Sequence, residues 1–296
     1  TWGLISFFLA IAVWLWVRPV WRDLEALRQT ARAFGEGDFA ARAPAVNNTS
    51  FELLAETLNA MAERVQRLIA TQKELSSAIS HELRTPIARM RFALEMLAEA
   101  DVREERERLW RMMEADLDEL DNLIDSSLTY ARFEREQPEL QLSPTGFGPW
   151  LSEQVEDVRI LGGKLAIDLD TAALPDDLSV ALDRKSMPFA VRNLLRNAIK
   201  YAQSRIAVSA EVRDGLVRIH VDDDGIGIPE AERENVFTAF TRLDRSRDRT
   251  TGGYGLGLAI ARLVLELHGG TATAHASPLG GARFTLSWPA QPARRT

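Results

Sequence analysis

Apolar residues recur at steps of three, four or seven along a stretch far longer than an ordinary globular helix: Leu68, Leu75, Ile79, Leu83, Ile87, Met90, Leu94 and Leu97. That spacing is the seam of a coiled coil or helix bundle. After a charged stretch at residues 101–108, which reads as a hairpin turn, a return helix follows with Leu109, Met113, Leu117, Leu120, Ile124 and Leu128. Two long helices with stripes this narrow cannot bury a core alone. A four-helix bundle built from two copies completes it, so a homodimer is expected.

Upstream, residues 2–17 form an uninterrupted uncharged run rich in Leu, Ile, Phe, Val and Trp. It is slightly shorter than the ~20 residues that span a bilayer. Because Thr1 is not an initiating Met, the span is expected to be truncated, with the sensing region before it. A buried core helix and a signal-peptide segment remain alternatives. Trp14 and Trp16 followed by Arg18, Trp21, Arg22, Arg28 and Arg32 favour an aromatic belt and a positive-inside flank. The expected location is the bacterial inner membrane, with membrane lipid as a partner and the chain after Arg18 in the cytoplasm. Leu24, Leu27 and Ala31, then Phe51, Leu54, Leu58, Met61 and Val65, give two further helices around a linker, the first ended by Gly35-Glu36-Gly37-Asp38. Pro19, the Gly37-Asp38-Phe39 turn and the run Glu52…Leu58-Asn59-x-Met61 resemble a HAMP signal-relay module.

Past Gln137-Pro138, which breaks the return helix, the texture changes. Short alternating stretches at 165–169, 178–182, 205–212, 217–221 and 284–288 read as strands, and 186–202 and 256–267 as helices. This is an α+β region of ordinary single-domain size. The chain has no cysteine, which removes disulfides and thiolate chemistry. A net charge of −7 argues against direct nucleic-acid binding, which needs a basic surface.

Of the four histidines, His81 alone has chemistry beside it. It stands two residues from Ile79 and two from Leu83, both on the seam, so it points about 200° away from each, toward solvent. Glu82 adjoins it, Thr85 shares its face one turn on, and Pro86 removes a hydrogen bond and bends the helix. A nucleophilic imidazole beside a carboxylate at a bend suits covalent transfer. A His-Glu-x-x-His zinc site fails, because Thr85 stands where the second ligand belongs. His220, His268 and His275 read as structural or incidental.

Three further clusters carry chemistry. Asn193, Asn197, Lys200 and Tyr201 form one polar helical stripe beside the apolar Val191, Leu194, Leu195 and Ala198. Amide oxygens there can bind Mg²⁺, the ammonium can reach phosphate, and the aromatic ring can pack on a base. Asp222-Asp223-Asp224-Gly225-Ile226-Gly227 ends a strand in a turn that approaches a ligand closely. Its three acids either hold a metal or divide between strand faces. Gly252-Gly253-Tyr254-Gly255-Leu256-Gly257 opens a helix, whose N-terminal N–H groups face phosphate.

Taken in order, these segments resemble the boxes of sensor histidine kinases over roughly residues 75–288. Ser80-His81-Glu82-Leu83-Arg84-Thr85-Pro86 is similar to the H-box, the Asn193 stripe to the N-box, and the two glycine segments to the glycine boxes, with Phe237 and Phe240 like the F-box between them. The run at 242–249, the second glycine box and the ending Gly280-Gly281-Ala282-Arg283-Phe284 most resemble RstB-type kinases. The resemblance implies an α+β chain in parts: a transmembrane helix (1–17), a HAMP-like relay (18–70), a dimeric phosphotransfer hairpin (71–137), an ATP-binding α/β sandwich of the gyrase and Hsp90 type (138–290) and a tail (291–296). It implies ATP and Mg²⁺ as cofactors and a response regulator with a receiver domain, of OmpR type, as partner.

Residue by residue, the resemblance implies that His81 takes the γ-phosphoryl group, that Glu82 acts as base on the other ring nitrogen, and that Thr85 helps dephosphorylate the regulator. Asn197, assisted by Asn193, binds Mg²⁺. Lys200 contacts phosphate, Tyr201 flanks the adenine and Asp223 accepts from its amino group. Gly225, Gly227, Gly253, Gly255, Leu256 and Gly257 shape the nucleotide loops. The arginines of 242–249 belong to a lid over the phosphates, with Phe237 and Phe240 anchoring it. A phosphatase-dominated sensor, a non-catalytic ATP-binding scaffold and a gyrase-like ATP clamp stand as rivals.

Overall fold

The computed structural model describes residues 2–45, 49–99, 102–136, 139–243 and 254–291. They form two compact units, Thr1–Ser77 and Ala78–Thr296.

In the first unit, helix α1 (Trp2–Gly35) runs on through Pro19, so the apolar run and the amphipathic stretch after it are one helix. Its apolar half is bare, from Trp2 at 83% exposed to Phe8 at 66%. By length and composition it can cross a membrane. Helix α2 (Thr49–Glu99) begins in this unit. A small core joins Leu27, Ala43 and Ala55, with Phe51 and Leu58 against it. Asn59 secures the linker by accepting from the Ala43 N–H at 2.8 Å and donating to its carbonyl at 3.2 Å. The buried face of α1 is Asp23, Leu27 and Thr30, not the expected Leu24–Leu27–Ala31 stripe. On α2, Ala55 and Ala62 turn inward while Leu54 and Met61 stay exposed. Small side chains let these backbones approach closely, so the larger ones are left outside.

The second unit holds the hairpin and the α/β domain. Helix α3 (Arg103–Glu136) starts earlier than the charged stretch suggested. Residues 103–108 are its first turns, because Glu104 and Glu105 suit the positive helix N-terminus and Arg103 pairs with Glu107 at 2.8 Å. The remainder of the expected turn, Ala100 and Asp101, and the Gln137-Pro138 break lie outside the described residues. Within the hairpin Ala93 and Leu109 form a core with Met96, Leu97 and Met113. Leu123 is fully buried, whereas its neighbour Ile124, expected on the seam, is 46% exposed.

In the α/β domain, strands β1 (Leu142–Gly146) and β3 (Ser179–Asp183) pair antiparallel. A five-stranded sheet has the order β2 (Ala166–Asp170), β4 (Arg205–Arg213), β5 (Leu216–Asp223), β7 (Ala282–Pro289), β6 (Thr271–Ala276). β2 runs parallel to β4; the other neighbours are antiparallel. Alternation puts Ile206 and Val208 from β4 and Val217, Ile219 and Val221 from β5 on the buried face. Helices α4 (Phe147–Arg159), α5 (Met187–Tyr201) and α6 (Gly257–Leu267) supply the facing layer. Trp288 closes it, edge-on to Phe147 at 5.8 Å. Each such buried side chain contributes about 1.5–3 kcal/mol before ordering costs.

β1, α4 and β6 were not foreseen from sequence. Gly146-Phe-Gly-Pro149 looks like a loop, yet the proline falls in the first turn of α4, where its missing N–H is no loss. β6 reads Thr-Ala-Thr-Ala-His-Ala, and alanine is a poor strand former, so pairing with β7 decides it. His268 is structural, as expected: its Nε2 accepts from the Asp183 N–H at 3.2 Å while Nδ1 lies 2.7 Å from the Val264 carbonyl.

Candidate functional site

His81 sits on the outer face of α2 with its side chain 77% exposed. Ile79 and Leu83, two residues either side, are half-buried. Helical phase is therefore a sound guide here. Nδ1 lies 3.4 Å from Glu82 Oε1, which leaves Nε2 turned away from the carboxylate. Thr85 is half-buried one turn on, and α2 continues through Pro86.

The second site is a cavity of about 680 Å³. Asn193, Asn197, Lys200 and Tyr201 of α5 line it, with Asp223, Gly227, Gly255, Leu256 and Gly257. Gly225 is not on its wall: it packs against α5, where a Cβ would run into the Tyr201 carbonyl oxygen. Gly257 also lies close to α5, where a Cβ would meet the side-chain Oδ1 of Asn193 at 2.9 Å. The two glycine segments thus meet α5 at its C-terminal residue and at its middle. Gly253 and the arginines of the lid beyond Leu243 lie outside the described residues, while Arg242 lines the cavity.

The three consecutive acids divide their work. Asp222 takes the Arg283 guanidinium through two bonds of 2.9 and 2.8 Å. Asp224 collects the backbone N–H groups of Gln203, Ser204 and Arg205, and the Ser204 hydroxyl with these amides holds its carboxyl well below the usual range. Asp223 alone faces the cavity, 1% exposed. Its Oδ1 accepts from the N–H groups of Gly225 at 2.9 Å and Ala282 at 3.1 Å. Burial nevertheless raises its pKa, and the charges of Asp224 and Asp222 add to that. Among the described residues no cluster of three or more His, Cys, Asp or Glu side chains is arranged to hold a metal.

Asn193 donates from Nδ2 to the Phe189 carbonyl at 2.8 Å, which orients its amide and frees Oδ1. The Lys200 ammonium lies 4.7 Å above the Tyr201 ring. Phe237, 3% exposed, packs edge-on to Phe284 at 6.2 Å beneath the Arg262 guanidinium. Phe240 is half-buried with a positive φ of 61°, and its N–H donates to the Gly255 carbonyl at 3.1 Å. This bond ties the F-box to the second glycine box.

Sequence reasoning missed one wall altogether. Asp118, Glu119 and Asn122 of α3 also line the cavity, and the Tyr254 hydroxyl donates to the Glu119 carbonyl. No motif marks these positions. The one available signal was the aromatic ring within a run of glycines.

These features coincide with three family matches. The His Kinase A (phospho-acceptor) domain matches residues 71–136, and the histidine kinase-, DNA gyrase B- and HSP90-like ATPase matches residues 183–292. The HAMP domain matches residues 17–67. The chain belongs to the sensor histidine kinases. Within that family it is 39% identical over 285 residues to the sensor protein RstB of Escherichia coli (strain K12), across 96% of this chain and 64% of RstB. It therefore spans just under two thirds of that relative. The crystal structure of full-length ShkA in complex with AMPPNP superposes with a TM-score of 0.55 at 26% identity, covering 75% of this chain and 46% of ShkA. The histidine kinase ThkA, solved in complex with the response regulator protein TrrA, shares the fold at a TM-score of 0.63 and 23% identity, over 78% of this chain and 65% of the other.

Proposed function

We propose that this chain is the kinase portion of an inner-membrane two-component sensor, which phosphorylates itself on His81 from ATP and passes the phosphoryl group to an aspartate on a response regulator. The observation that carries this reading is the convergence of Asn193, Asn197, Lys200, Tyr201 and Asp223 on one cavity, within the compact unit that also holds the exposed His81. Family membership adds to it. The parts are taken as a membrane span (1–17), a relay (18–70), a phosphotransfer hairpin (71–137), an ATP domain (138–290) and a tail (291–296).

In the proposed reaction, the buried Asp223 accepts a hydrogen bond from the adenine amino group and Tyr201 flanks the ring. Lys200 neutralises phosphate charge. Asn193 and Asn197 offer neutral amide oxygens, the hard donor type that Mg²⁺ takes when substrate phosphates supply its remaining ligands. The metal ion would supply charge neutralisation on the phosphate oxygens. His81 Nε2 attacks the γ-phosphorus, the bond from that phosphorus to the β–γ bridging oxygen breaks, and ADP leaves with the electron pair. Glu82 takes the proton at Nδ1, where it already faces the ring. The phosphohistidine then passes its phosphoryl group to the regulator's carboxylate. Glycine loops at the start of α6 turn backbone N–H groups toward the phosphates. Gly253 and the lid arginines are assigned to the same cradle.

The hairpin supports a homodimer. Ile87, Leu94, Leu117, Ile124 and Leu128 are 45–64% exposed, and a second copy supplies what they lack. The deciding experiment is incubation with γ-labelled ATP and Mg²⁺. An acid-labile, base-stable label lost in His81→Gln is expected. Nucleotide binding with no label in the wild type would leave a non-catalytic scaffold instead. A second reading, a sensor working chiefly as phosphatase, is favoured by Thr85 on the His81 face. Decay of regulator phosphate that slows in Thr85→Ala, with self-labelling retained, would identify it.

A further inference from the structure

Tyr254 is the first described residue after the lid, and it sits where its neighbours are glycines. It is 8% exposed, too buried for a loop residue with no task. Its hydroxyl donates to the main-chain carbonyl of Glu119, in the middle of α3. Around that point the two helices of the hairpin are tied by charge. Arg89 of α2 reaches across to both Asp116 and Glu119 of α3, and Asp116 is 3% exposed. Tyr254 begins the cavity-lining segment that runs through Gly255 and Leu256 into α6. A second contact lies 14 residues along α3, where Phe133 packs edge-on to Phe189 of α5 at 5.7 Å.

We propose that Tyr254 is a positioning residue: its hydroxyl bond to the Glu119 carbonyl pins the second glycine box to the phosphotransfer hairpin that carries His81. This inference rests on the kinase reading for its catalytic consequence but not for the docking itself. Tyr254 lines the cavity, and its hydroxyl is taken up by the Glu119 carbonyl of α3. Removing only the hydroxyl therefore leaves nucleotide affinity intact and loosens the registry between γ-phosphate and imidazole. Misplacement of that kind lowers the rate of the chemical step rather than binding. Pairing to a backbone carbonyl also makes the contact independent of the residue type at position 119.

The test uses the full chain in nanodiscs, wild type against Tyr254→Phe and Tyr254→Ala, with His81→Gln as the labelling control. Binding is read with the fluorescent analogue TNP-ATP and the chemical step by single-turnover labelling at saturating ATP. Tyr254→Phe is expected to keep its TNP-ATP affinity within twofold while labelling slows about three- to tenfold, the size of one buried hydrogen bond. Tyr254→Ala is expected to slow further. Equal losses in affinity and rate, or a wild-type rate in Tyr254→Phe, would overturn the assignment. Docking is read separately. Because the chain has no cysteine, Asp125→Cys with Glu230→Cys gives a unique spin-label pair between α3 and the ATP domain. A narrow distance distribution that broadens in Tyr254→Phe supports the latch, and one unchanged by the substitution refutes it. If the wild type takes no label, the kinase reading fails and the distance measurement still decides the latch.

Discussion

In the ATP domain, the large side chains that strands and helices turn inward find partners in the same chain: Trp288, Phe284, Leu194 and Ile219 are each at most 1% exposed. In the hairpin, residues of equal size do not. Leu117 and Leu128 remain 53% and 64% exposed, and the interior instead contains a carboxylate, Asp116, held by Arg89. A sheet covered on one face by helices closes its core with what it has, whereas two helices offer each other only one narrow line of contact. The first region is a finished structure. The second leaves large apolar side chains open and is held in register by charge.

That contrast can be broken most directly in the finished region. Trp288→Ala should cost about 3–5 kcal/mol through lost burial and the cavity left behind, and should abolish TNP-ATP binding with it. Urea unfolding followed by circular dichroism measures this, and a loss below about 1 kcal/mol would mean the core repacks freely. In the hairpin, Arg89→Met leaves Asp116 buried without its cation. The expected loss is about 2–3 kcal/mol, less than for a fully buried pair because the Arg89 side chain is 35% exposed. Restoring stability by adding Asp116→Leu to that variant would show the charge to be the cause.

A third test is pH. Burial lowers the pKa of His268, and burial followed by the charge of Arg283 lowers that of His220. The unfolded chain therefore binds protons more readily than the folded one below about pH 6.5. The stability associated with these neutral imidazoles is fully present above that pH and is lost as pH falls through the lowered folded values. The urea midpoint should drop between pH 7.5 and 5.5, and the drop should be shallower in His268→Gln. An unchanged pH profile in that variant would remove His268 from the account. The smallest effect on stability belongs to the unfinished face. Ile124→Asp should change unfolding of an isolated chain by no more than about 0.5 kcal/mol, since the residue is exposed there. Yet sedimentation should show the dimer lost. A dimer that survives would place the second copy elsewhere.

Much of the site was legible before the fold was known. The exposed phase of His81 followed from two seam neighbours, and the α5 stripe from its i, i+4, i+7, i+8 spacing. Both are periodicities that local geometry imposes on any helix. Phase failed where two choices differed by one residue. Leu123 is the buried position and Ile124 is not, because the intrachain contact takes a face of α3 one residue away from the expected seam. The run of three acids could not be divided by inspection either. Asp222, Asp223 and Asp224 differ only in what β7 and the 203–205 backbone bring to them.

By itself, then, the sequence determined the helical seams, the outward histidine beside Glu82, and the polar stripe and glycine boxes of a nucleotide site, because each depends on residues within a few turns of one another. The tertiary structure alone decided that β1, α4 and β6 exist, which of three aspartates faces the cavity, and that α3 walls the nucleotide site through Tyr254 and Glu119. Those depend on partners 59 and 135 residues apart. No local spacing encodes contacts of that range; they arise only when burial brings distant backbone together.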